Sequence, residues 1–104
     1  MSVMVKPGTR LFSAVCSTEM IAVKGPGAPV DLTIGGATPV AAAADRRSGG
    51  RVAPGHGGGA LMGKRYVDAD DTIELLCTKP GDGVPALGGV LLELKEAKAM
   101  PASD

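Results

Sequence analysis

Thr72-Ile73-Glu74-Leu75-Leu76-Cys77-Thr78-Lys79 decides how this chain folds. Ile73, Leu75 and Cys77 take every second place, with Thr72, Glu74, Leu76 and Thr78 between them. Side chains alternate from face to face along a strand, whereas a helix repeats every 3.6 residues. The period therefore lays one apolar set on one face of a sheet. Asp70-Asp71 supplies a turn before the stretch, and Pro80-Gly81-Asp82-Gly83 supplies one after it. The run Pro80–Pro85 reads first as hairpin punctuation and second as a recognition loop.

The same period continues in both directions. Thr9–Cys16 alternates Leu11, Ser13 and Val15 against Phe12, Ala14 and Cys16. Glu19–Lys24 is a second strand, and Gly25-Pro26-Gly27-Ala28-Pro29 is a turn. Val30–Ile34 puts Val30, Leu32 and Ile34 on one face, and Gly35-Gly36 ends it. Thr38–Ala41 adds a short strand, and Met62–Asp68 another that holds Tyr66. After Gly88-Gly89, Val90–Lys95 turns Leu92 and Leu94 one way and Leu91 and Glu93 the other. Six or seven short strands at about ten-residue spacing predict an all-β fold, a small barrel or sandwich.

Ala42–Leu61 breaks the pattern. Gly49-Gly50, Pro54-Gly55 and Gly57-Gly58-Gly59 alternate with arginines, and only Ala41–Ala44 suits a helical turn. This reads as a long, mobile Gly/Arg-rich loop. The chain of 104 residues is expected to hold a single β domain over 1–96 and a tail over 97–104. No internal repeat is visible.

The core must be aliphatic, because Phe12 and Tyr66 are the only aromatic residues. Such a core in so short a chain predicts marginal stability, or help from a partner surface. The formal net charge is zero, which gives no general attraction to nucleic acid or to an acidic membrane. Charge is nonetheless split. Residues 42–65 carry Arg46, Arg47, Arg51, Lys64 and Arg65 against Asp45, while residues 66–104 are mainly acidic. Such a division suits pairing within or between molecules.

Met1–Lys6 runs at once into Pro7-Gly8 and shows no signal-peptide pattern, and no apolar run approaches a membrane span. The expectation is a cytoplasmic protein with two free thiols, Cys16 and Cys77. Abundant Ala, Gly and Val, with neither Asn nor Gln, fits a GC-rich bacterial source.

Four constellations carry candidate chemistry. Gly58-Gly59-Ala60-Leu61-Met62-Gly63-Lys64 has the spacing of a phosphate-binding loop, but Arg65 follows where a magnesium-binding Ser or Thr is required, and a strand follows in place of a helix. A looser reading keeps an anion or nucleotide site built from glycine amides with Arg46, Arg47, Arg51, Lys64 and Arg65. Cys16, His56 and Cys77 supply soft metal ligands without a C-x-x-C pair; zinc or iron would need a fourth ligand. The competing reading makes both thiols small buried hydrophobes. A nucleophilic cysteine served by His56 is a weaker reading, since His56 lies in the Gly-rich stretch. Asp68, Asp70 and Asp71 read as a solvated turn; as a calcium site they lack the loop glycine and the closing Glu.

Val15-Cys16-Ser17-Thr18-Glu19-Met20-Ile21-Ala22-Val23 and Ile34-Gly35-Gly36-Ala37-Thr38-Pro39-Val40 together span under a third of the chain. The first resembles the cysteine knuckle and following strand of desulforedoxin-type metal domains. The second resembles the Cys-Cys-Gly-x-Pro-Met segment of that family, which holds iron with four thiolates. Only Cys16 matches a metal ligand. Ser13, Ile34 and Gly35 stand where the other three cysteines would be, and each half needs a one-residue insertion to align. The resemblance implies a β fold that has lost its iron.

No set of residues assembles a catalytic centre, so the chain is not expected to be an enzyme. The leading expectation is an accessory domain that binds a protein partner or itself through apolar strand edges near Val90–Leu94. The alternatives are a metal or redox protein using Cys16 and Cys77, and an anion-binding module using the basic loop. No cofactor is expected on the leading reading.

Overall fold

A computed structural model describes residues 2–47 and 49–95. In chain order the strands are β1 (Val3–Val5), β2 (Arg10–Phe12), β3 (Glu19–Lys24), β4 (Ala28–Val30) and β5 (Leu32–Ile34). There follow β6 (Arg65–Val67), β7 (Glu74–Lys79), β8 (Pro85–Leu87), β9 (Val90–Leu91) and β10 (Glu93–Leu94). A single 3₁₀ turn at Ala43–Asp45 is the one helical element among the described residues. The fold is all-β, with ten strands among the described residues where six or seven were expected.

The strands form three antiparallel sheets. The largest has the order β10-β6-β7-β3-β2, the second β5-β8-β9, and the third pairs β1 with β4. The five-stranded sheet does not close, because its ends, β10 and β2, are not neighbours. All three sheets contribute to one core. Val5, Leu11, Met20, Leu32, Ile34, Tyr66, Leu75 and Leu92 belong to a single buried cluster.

The opening octapeptide lies at the centre of this arrangement. Ile73, Leu75 and Cys77 are buried, as the alternation predicts. β7 is flanked by β3 on one side and β6 on the other, with Met20 opposite Cys77 and Tyr66 opposite Leu75. Each fully buried large aliphatic there stabilises the fold by roughly 1.5–3 kcal/mol.

Glu74 departs from the alternation, being buried on the face expected to meet water. Arg65 and Lys95 make this tolerable by donating to its two carboxylate oxygens, at 3.1 and 2.9 Å. A buried carboxylate is stable only when paired and hydrogen-bonded in this way.

Elsewhere the expected strands are cut shorter by local hydrogen bonding. Thr9–Cys16 stops at Phe12, because the Ser13 hydroxyl accepts from the backbone N–H groups of Val15 and Cys16 and bends the chain. Val30–Ile34 divides at Asp31, one part pairing with β1 and the other with β8. Thr38–Ala41 contributes one bridge, Phe12 to Val40. β8 follows directly on the Pro80–Val84 turn and begins with proline, a residue tolerated at the first place of a strand.

The Ala42–Leu61 segment is a loop fastened to the body by backbone bonds. Arg47 donates to Ala14, Ala53 to Gly35, Gly59 to Asp82 and Ala60 to Gly81. The expected tail over 97–104 lies outside the described residues. Among the described residues no helix is long and apolar enough to cross a membrane.

Candidate interaction surface

Val90–Leu94 is one extended run that serves two sheets. It starts from the hairpin turn Gly88-Gly89, whose φ angles of 59° and 84° are those of the mirror-image turn that two-residue hairpins favour. Both positions need the left-handed region, which glycine enters without steric cost. β9 then pairs with β8. Leu92 is buried and its N–H donates to the Pro85 carbonyl at 2.9 Å. Past Leu92 the chain leaves that sheet and pairs with β6, Glu93 opposite Val67 and Leu94 opposite Tyr66.

Among the described residues, β9 and β10 each stand last in their own sheet. Between them opens a groove of about 370 Å³. Its lining is apolar: Leu61, Tyr66, Val84, Leu91, Leu92 and Leu94, with Gly57–Gly59 along one rim. Leu61 and Leu94 are each about half exposed, and Val90 is 71% exposed. The Tyr66 hydroxyl accepts from the Leu61 N–H at 3.0 Å, which fixes the rim to the floor. Large apolar side chains gathered at two open edges mark a surface able to receive another chain.

β10 is held against β6 and β7 through Lys95. Lys95 donates its backbone N–H to the Arg65 carbonyl at 2.8 Å and its ammonium to Glu74. The Lys95 hydrogen bond is the leading cause that holds the Glu74 carboxyl below the ordinary carboxylate range, against the opposing effect of burial; Arg65 adds to it.

The two thiols sit in unlike places. Cys16 occupies the tight Ser13–Thr18 turn, where its Sγ lies 3.1 Å from Ser13 Oγ and 3.3 Å from Thr18 Oγ1. The Gly83 N–H donates to the same sulfur at 3.3 Å. Gly83 must be glycine for this contact, because a Cβ there would lie 2.8 Å from Gly35 Cα and 2.9 Å from the sulfur. Burial raises the Cys16 pKa, but the hydrogen bonds outweigh it and hold the thiol below its ordinary value. Cys77 lies inside β7, where burial pushes its thiol up. Neither is in a disulfide.

Compared with protein-family models, curated proteins and solved structures, the chain has no significant match. What the chain can do rests on its own geometry.

That geometry does not gather the expected metal ligands. Among the described residues no three His, Cys, Asp or Glu side chains form a metal-holding group, so Cys16, His56 and Cys77 do not make one. His56 lies against Gly36, with its backbone tied to Ala53 and Val84 and its Nδ1 buried without a partner. It is not among the groups that bond the Cys16 sulfur.

The basic loop is likewise occupied with the fold. Arg46 donates to the carbonyls of Ser13 and Ser17 and to Glu19, and its guanidinium lies 6.0 Å from the centre of the Phe12 ring. Arg65 is engaged by Glu74. Arg47, Arg51 and Lys64 are exposed. In the phosphate-loop echo, the amides of Gly59, Ala60, Leu61, Gly63 and Lys64 all donate to acceptors of the chain itself. Asp68 accepts from Thr72 and from the Ile73 amide within the turn, and Asp71 pairs with Lys24 of β3.

The sequence reading found the Val90–Leu94 edge but not the groove beside it. Leu61, Tyr66 and Val84 come from a loop, a strand and a turn far apart in the chain, and no local period links them. The alternation that turns Leu92 and Leu94 to the same side was the one readable signal.

Proposed function

We propose that this chain is a non-catalytic interaction domain that takes an extended protein segment along the open edge of β10. On this reading the five-stranded and three-stranded sheets are the halves of an open sandwich, and the groove is its mouth. A segment added to β10 would continue the sheet by main-chain hydrogen bonds and lower its alternate side chains into the groove. The observation that carries the proposal is the coincidence of two features at one place: an outermost strand, and the apolar groove lined by Leu61, Tyr66, Leu91 and Leu94.

A synthetic peptide with leucine at alternate positions tests this in an NMR titration. Shifts are expected at Gly57–Gly59, Tyr66 and Leu91–Leu94. Shifts confined to another face, or none up to millimolar peptide, would reject the proposal.

A further inference from the structure

Resting on that reading, we infer that the bound segment carries a basic side chain, lysine or arginine, beside its apolar ones, and sets it in a second hollow that adjoins the groove. This hollow, of about 220 Å³, is lined by Leu87, Val90 and Leu92 together with Asp68, Asp70 and Glu93. It shares Leu91 and Leu92 with the groove, so one segment can reach both. The two differ in charge. The groove has no charged residue in its lining, whereas the hollow has three acidic residues and no basic one.

The fold brings these carboxylates together from separate parts of the acidic stretch. Asp68 follows β6 and opens the turn toward β7, where it accepts from Thr72 and from the Ile73 amide. Burial opposes its ionisation, but those hydrogen bonds outweigh it and hold the carboxyl below its ordinary range. Asp70 is a central residue of the same turn and is exposed. The pairing of β10 with β6 places Glu93 opposite Val67, the residue before Asp68. Two cations of adjoining strands are engaged elsewhere, Lys24 with Asp71 at 3.2 Å and Lys95 with Glu74 at 2.9 Å. Among the described residues, Asp70 and Glu93 have no ion-pair partner.

This combination selects the occupant. An apolar side chain would strip water from the carboxylates and leave them unpaired, which costs free energy. An acidic one would add a like charge. A metal ion needs ligands that converge on one point, and among the described residues no three acidic, His or Cys side chains do so. Lysine and arginine lay their methylene stems on apolar surface and carry the charge at the far end. That shape matches the leucines and valine of the hollow and the carboxylates spread around them. The groove by itself accepts any apolar segment, and the hollow narrows the choice to one with a positive charge close by.

Calorimetric and NMR titrations with three synthetic peptides test the inference: the alternating-leucine peptide, and the same peptide extended by Arg-Arg at its N-terminus or at its C-terminus. At least one extended peptide is expected to bind tighter than the parent by roughly threefold or more. It is expected to shift the Asp70, Val90 and Glu93 amides, and to lose its advantage at high salt. The double variant Asp70→Asn with Glu93→Gln removes two exposed charges and keeps both side-chain shapes. It is expected to abolish the advantage while binding the parent peptide as the wild type does, which also shows that it is folded.

Extended peptides that bind no tighter than the parent, or an advantage that survives in the double variant, would overturn the inference and leave the groove reading intact. A parent peptide that ignores the protein, with an extended one that shifts only the hollow, would reject the groove reading and uphold the basic-side-chain site. Binding by none of the three would sink both.

Discussion

β7 and the Val90–Leu94 run both place apolar side chains at every second position, yet only the first is enclosed. β7 has a strand on each side, and its Leu75 and Cys77, with Ile73 just before it, are buried in the core. The Val90–Leu94 run has a strand on one side at each of its ends, and Val90, Leu91 and Leu94 remain open to water. Period sets which way a side chain points, whereas burial needs neighbours on both flanks. An apolar strand without its second neighbour is where a partner gains most by arriving.

The largest expected effect lies at the enclosed strand. Leu75→Ala removes a side chain that is fully buried between Tyr66 and Ala22, and is expected to cost about 2–5 kcal/mol of stability in chemical denaturation. Leu94→Ala, at the open edge, is expected to cost under about 1 kcal/mol in the monomer. Equal costs would erase the distinction between the two regions.

The next effect lies where the two regions are joined, at Glu74. Its folded carboxyl is held below the ordinary range by Lys95 and Arg65. A group whose pKa is lowered on folding contributes stability above its unfolded pKa, and that contribution is lost as pH falls through the folded value. Melting temperature is therefore expected to drop on the acid side of the ordinary carboxylate range. Glu74→Gln should flatten that limb and lower stability at neutral pH by about 1–3 kcal/mol. An unchanged acid limb in the variant would mean that other carboxylates govern it.

A smaller effect separates the thiols. Cys77 is shut within β7 and its thiol is raised, while Cys16 is half-buried in its turn and lowered. Iodoacetamide at neutral pH is expected to label Cys16 faster by roughly tenfold or more, as read by peptide mass spectrometry. Faster labelling of Cys77 would show that β7 is not closed.

How far the sequence foretold this molecule depends on the range of the interaction involved. Strand identity at Glu74–Lys79 and at the Val90–Leu94 edge was readable, because alternation is local. The turns at Gly35-Gly36 and Gly88-Gly89 were readable because glycine admits the left-handed backbone they use. β1 and β4 escaped because three-residue strands carry too little period to register, and β4 contains a proline. Thr9–Cys16 was read too long because Ser13 looks like a strand residue until its hydroxyl bends the chain. Arg46 looked like a ligand for an anion, yet it binds carbonyls and Glu19 brought to it by the β2–β3 turn. The groove was beyond reach, since its walls meet only after folding.

Amide hydrogen exchange at micromolar protein tests the open edge most directly, because it reads the direction of individual N–H groups. The Cys77 amide, bonded to Lys64, and the Lys95 amide, bonded to Arg65, are expected to be protected. Leu94, next to Lys95, is expected to exchange at nearly the rate of an unstructured peptide. A Leu94 amide as protected as that of Cys77 in the monomer would contradict the account, because no open edge would then exist for a second strand to join.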